Sequence, residues 1–163
     1  DYDEAIRLDP SIAPIHAHRA GAYSHLGQYE RAIQDYDEAI RLDPELSWAY
    51  SNRAGAFRWL GEHERAFHDY DEAIRLDPKN AQTFDKRGGA YYSLGQYQSA
   101  IEDFTEAIRL DPQFTAAIMD RAVSYTMLSM DAEAGSDVDQ AVALGYDRIL
   151  AEMAIETARI QRR

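Results

Sequence analysis

Apolar and polar positions along this chain follow the 3.6-residue period of amphipathic helices, and the pattern recurs at a longer, fixed interval. In residues 47–80 it predicts one helix over 47–60, a turn at Gly61 and a second helix over 63–76. The run Tyr36-Asp37-Glu38-Ala39-Ile40-Arg41-Leu42-Asp43-Pro44 returns at 70–78, in near-copy at 104–112, and opens the chain as residues 2–10. Pro10, Pro44, Pro78 and Pro112 are spaced 34 residues apart, so the chain is an array in which each unit buries its apolar side against the next. Residues 1–8 read as the second half of a helix, with Tyr2, Ala5 and Ile6 on one side and Asp3, Glu4 and Arg7 on the other. Asp9-Pro10 ends it, because proline disfavours helical geometry in the residue before it. Gly27, Gly61 and Gly95 fall where first helices must stop, a place suited to the left-handed backbone that glycine adopts freely.

The phase divides the chain into a second-helix remnant at 1–12, units at 13–46, 47–80 and 81–114, a degenerate unit at 115–148 and a terminal helix at 149–163. A chain that starts inside a unit reads as a piece of a longer array. The eighth place of each unit is small (Ala20, Ala54, Gly88, Ala122), with an aromatic three residues on (Tyr23, Phe57, Tyr91, Tyr125). Second helices carry Ala32, Ala66, Ala100 and Ala134, then Tyr36, Tyr70, Phe104 and Val138, then Ala39, Ala73, Ala107 and Ala141. Small residues let two helices approach while aromatics fill the space beside them. In these residues the chain resembles the tetratricopeptide repeat (TPR) family. The resemblance implies an all-α, right-handed superhelical solenoid of helix-turn-helix repeats, here with a C-terminal capping helix, whose first helices line a concave groove.

Two ladders depart from the family pattern. Arg19, Arg53, Arg87 and Arg121 occupy the seventh place, usually bulky and apolar, and Asp35, Asp69, Asp103 and Asp137 recur on the second helices. A guanidinium among packed helices needs a charge-matched partner, so each arginine is expected to pair with an aspartate. The fourth unit loses consensus at Ser129, Asp131, Gly135 and Tyr146, as a capping repeat does. In the terminal helix Ile149, Leu150, Met153, Ile155, Ala158 and Ile160 form an apolar side expected to cover the last pair.

Composition narrows the chemistry. Lys plus Arg is 17 against 29 Asp plus Glu, a net charge of -12, which repels nucleic acid and anionic membranes. No cysteine is present, so disulfides, thiolate nucleophiles and Cys-bound zinc are excluded. No apolar run is long enough to span a bilayer, and a soluble chain, cytoplasmic in preference to periplasmic or secreted, is expected. The five histidines, including His16, His18 and His25, lack the companions of a metal site, and no phosphate-binding loop or nucleophile elbow occurs. The expectation is a protein without enzymatic activity, metal or cofactor.

What remains is the surface that the resemblance implies. Its groove-facing places vary from unit to unit, with Gly21, Gly55 and Gly89 leaving the floor bare. Trp48, Trp59 and Tyr92 offer apolar area, and Asn52, Arg58 and Lys86 offer donors suited to a peptide's carbonyls or carboxylates. These six are the candidate contacts for a protein or peptide partner. The family's clamp for a C-terminal carboxylate is matched only in fragments, since Ala17, Gly21 and Gln82 stand at three of its places. An asparagine ladder fails too, the sixth places being His18, Asn52, Lys86 and Asp120. The alternatives are self-assembly through the open solenoid ends, giving a homo-oligomer, or a targeting arm of a larger enzyme.

Overall fold

The computed structural model describes residues 2–162, which fall into two compact units, residues 1–79 and 80–163. The first holds α1 (Tyr2–Leu8), α2 (Ala13–His25), α3 (Tyr29–Leu42), α4 (Ser47–Trp59) and α5 (His63–Leu76). The second holds α6 (Ala81–Ser93), α7 (Tyr97–Leu110), α8 (Thr115–Met127), α9 (Asp131–Ala143) and α10 (Arg148–Gln161). No strand occurs among the described residues.

Local chemistry sets these boundaries. The second helices α1, α3, α5 and α7 each end at an aspartate, and Oδ1 of Asp9, Asp43, Asp77 and Asp111 accepts the N–H two residues on, closing the turn around the proline. Asn80 and Asp147 cap α6 and α10 through side-chain oxygens that accept from Thr83 and Leu150. Within hairpins, Gly27, Gly61 and Gly95 take φ of 71°, 78° and 72°. The fourth hairpin keeps this turn without glycine, and Ser129 adopts φ 62°. A side chain in that region costs about 1–2 kcal/mol. Ser129→Gly is therefore expected to raise the unfolding free energy by about 1 kcal/mol in urea titrations; no gain would mean that the serine hydroxyl compensates.

In the first unit α2, α3 and α4 meet through Ala17, Ala20, Ala32, Ala39 and Ala49 around the buried ring of Tyr36. Rings are buried in the same way at Tyr70 of α5 and Phe104 of α7, and Ile118 of α8 is fully covered. At Gly88 a Cβ would lie 2.8 Å from Phe104 Cε1, so this glycine admits a ring closer than its alanine counterparts do.

The arginine ladder is realised. Nε and Nη2 of Arg19, Arg53, Arg87 and Arg121 donate in parallel to both carboxylate oxygens of Asp35, Asp69, Asp103 and Asp137 at 2.6–2.9 Å. Each pair joins the two helices of one hairpin. A further partner comes from the preceding second helix: Asp3 for Arg19, Asp37 for Arg53 and the Thr105 hydroxyl for Arg121.

The terminal helix corrects one expectation. Ala151, Ile155 and Ala158 are its buried residues, whereas Ile149, Leu150, Met153 and Ile160 are exposed. Close approach needs small side chains, so α10 docks on its alanine edge. It leans more on α8 than on α9, and Arg162 donates to the Thr126 carbonyl at 2.6 Å. Gly135, standing where the earlier units have Ile33, Phe67 and Ile101, leaves a cleft of about 310 Å³ between α9 and α10.

Candidate functional site

The glycine-floored places predicted as a binding surface lie on the first helices, and each unit holds its own cavity there. In the first unit Gly21 and His25 of α2, Asn52, Gly55 and Trp59 of α4, and Tyr29 and Tyr36 of α3 enclose about 260 Å³. The floor is open at Gly55, where an added Cβ would meet nothing within 4 Å. Burial pushes the Tyr36 phenol up to about 12, so it remains a neutral donor at the pocket wall.

Trp59 stands 65% exposed at the rim. Its ring lies parallel to that of Tyr29, 6.0 Å between centroids and 4° between planes, and the Arg58 guanidinium carbon is 5.5 Å from its centroid. Stacking fixes the rotamer of a large apolar surface that water still reaches, which lowers the entropy lost when a ligand covers it. Asn52, Arg58 and Trp59 thus share one locality. Trp48 does not belong to it: eleven residues back along α4, about 16 Å along the axis, it packs half-buried on the core with its ring 5.1 Å from His18.

The second unit contains Lys86 and Tyr92, both on α6. Tyr92 lines a cavity of about 130 Å³ with Gly89, Phe104, Asp120 and Val123, and its ring sits 5.3 Å from that of Tyr97 at 58°. Burial, with Tyr97 and Asp120 adding, raises the Tyr92 phenol. Burial also lowers the Lys86 ammonium, which Asp85 partly offsets. Asp85 is raised to about 6 by burial first and by Asp120 second, with Lys86 opposing. Desolvation also raises Asp120, although the residue as a whole stays exposed.

Four contributors escaped the choice of six candidates. Tyr29 and Tyr97 begin second helices, and their recurrence with His63 at one place of the unit was the available signal. The weight of the Asp85–Asp120 pair had no such signal, because it depends on how two first helices desolvate each other. His16 is a packing histidine, its Nε2 2.9 Å from the Pro10 carbonyl oxygen. No cluster of metal-ligating side chains occurs among the described residues, and none of their helices is long and apolar enough to cross a membrane.

The profile of the tetratricopeptide repeat matches residues 13–46, 47–80 and 86–114. A crystal structure of MamA is similar with a TM-score of 0.78 at 24% identity, over 88% of this chain and 84% of that one. The first TPR domain of Spaghetti (RPAP3), solved bound to the HSP90 peptide SRMEEVD, gives 0.68 at 24% over 74% and 96% of the two chains. The TPR domain of Arabidopsis OM64 gives 0.66 at 31%, over 69% of this chain and 93% of that domain. No curated protein sequence matches.

Proposed function

Because the chain belongs to the tetratricopeptide repeat family, we propose that it is a non-enzymatic binding module that takes an extended segment of a partner protein on the face of its first helices. The observation that carries this reading is Trp59, held exposed by its stack on Tyr29 beside a pocket floored by Gly55. Interface energy concentrates in such fixed aromatic anchors. Asn52 and Arg58 supply polar contacts around it, and Lys86 and Tyr92 serve the same role in the second unit. An acidic tail like the one bound by the RPAP3 domain is a poor candidate, since Gly21, Ala17 and Gln82 stand where a carboxylate clamp needs donors.

Display of random dodecapeptides against the whole chain tests the proposal. Enriched peptides are expected to bind with dissociation constants of about 1–100 µM. Trp59→Ala should weaken them at least about tenfold, the loss typical of an aromatic anchor. A library from which nothing is enriched, or peptides that bind Trp59→Ala as well as the parent, would overturn the assignment.

A further inference from the structure

We propose that the cavity between α6 and α8 receives a cationic side chain, arginine or lysine, of the bound segment, with Asp120 and Asp85 as its counter-charges and Tyr92 as its stacking surface. This rests on the peptide-binding reading and specifies it. The cavity, about 130 Å³, is the volume of roughly four waters at about 30 Å³ each, enough for one side-chain head group and too small for a folded element. Its wall is part aromatic, from Tyr92 and Phe104, and part anionic, from Asp120.

The charge balance is the stronger argument. Each of the buried ladder aspartates, Asp35, Asp69, Asp103 and Asp137, is clamped by an arginine. Asp85 and Asp120 make no salt bridge among the described residues, although Asp120 is close enough to raise the cost of ionising Asp85. Oδ1 of Asp85 is shielded from water and accepts no hydrogen bond. Asp85, one helical turn before Gly89 on α6, places this covered acceptor near the Asp120 carboxylate of the cavity wall, and a guanidinium or ammonium matches that wall, bringing several N–H donors, one positive charge and an affinity for aromatic rings. Lys86 on α6 is the charged neighbour of opposite sign, Tyr92 and Tyr97 are the titratable neighbours, and none of these supplies that missing donor to Asp85 Oδ1. Because Asp85 is raised to about 6, it is largely neutral at pH 5 and charged at pH 7.5, so cation binding strengthens as pH rises through that interval.

Amide chemical shifts of the whole chain, followed while adding the peptides Ac-Gly-Ser-Arg-Ser-Gly-NH₂ and Ac-Gly-Ser-Glu-Ser-Gly-NH₂, decide the matter. The arginine peptide is expected to move Gly89, Tyr92 and Val123 saturably, at least fivefold more tightly at pH 7.5 than at pH 5. Asp120→Asn should weaken it at least fivefold, Asp85→Asn should remove the pH dependence, and Asp120→Lys should reverse the preference toward the glutamate peptide. Equal or stronger shifts with the glutamate peptide on the parent chain, no shifts with the arginine peptide, or an unchanged Asp120→Asn would overturn the proposal. Dependence of the displayed peptides on Trp59 is read separately, so either conclusion can fall without the other.

Discussion

Replacing Arg53 by alanine is expected to lower the unfolding free energy by about 3–5 kcal/mol, the cost of breaking a covered ion pair from one side. Asp69 keeps only 3% of its side chain exposed and Arg53 16%. The guanidinium donates to both Asp69 oxygens at 2.7 and 2.9 Å and lies 5.7 Å from the Phe57 centroid. Burial works against its charge, but Asp69 and then Asp37, through hydrogen bonds and opposite charge together, more than reverse this, and the group is held above its ordinary value. Without the arginine, a carboxylate remains under protein with the exposed His68 Nδ1 3.6 Å away. The double replacement Arg53→Met, Asp69→Leu should recover most of the loss, because both charges and both desolvation costs leave together. Urea unfolding of the three variants checks this. A loss below about 0.5 kcal/mol for Arg53→Ala would place the pair among exposed, energetically idle ones.

Phe104→Ala is expected to cost about 3–5 kcal/mol, the range for emptying the place of a buried aromatic ring. Phe104 is 1% exposed, and its ring edge occupies the space that a Cβ at Gly88 would need. The α6–α7 contact around Gly88 is therefore shaped by this ring, and the void would adjoin the Tyr92 cavity. Urea unfolding measures the loss; less than about 1 kcal/mol would show that α6 and α7 close on the vacated volume.

The hairpins and their ladder were legible because a strict 34-residue period turns one structural requirement into four visible copies. Arg19 with Asp35 and Arg53 with Asp69 could be matched from identical spacing and opposite charge alone. The second partner, Asp37, was not, because an aspartate on the polar side of a helix looks the same whether it meets water or a neighbouring arginine. In α10 the helical period identified an apolar side but not which of its edges would be covered, and Ile149 and Met153 lie outside while Ala151 and Ala158 lie inside. The choice belongs to packing, where small residues permit approach and large ones prevent it. Ser129 looked like simple decay, yet the backbone there keeps its left-handed turn, which sequence cannot display without glycine. At the site, Trp59 was readable as a large apolar residue at a variable place. Trp48 was equally readable and ended against the core, because variability alone does not separate a contact surface from a local repacking.

The side-on contacts of the arginines have a thermodynamic meaning. In a linear array, stability divides into a part intrinsic to each repeat and a part contributed by each boundary between repeats. Arg53 spans both, holding its own hairpin through Asp69 and the preceding repeat through Asp37. Among the described residues Arg121 meets the preceding repeat through the uncharged Thr105 hydroxyl, a weaker tie than an Asp37-type ion pair. The boundary between α7 and α8 therefore lacks, among the described residues, the ionic tie that joins α3 to α4. Within the second unit, melting is expected to begin with α8 to α10 and to reach α6 and α7 afterwards.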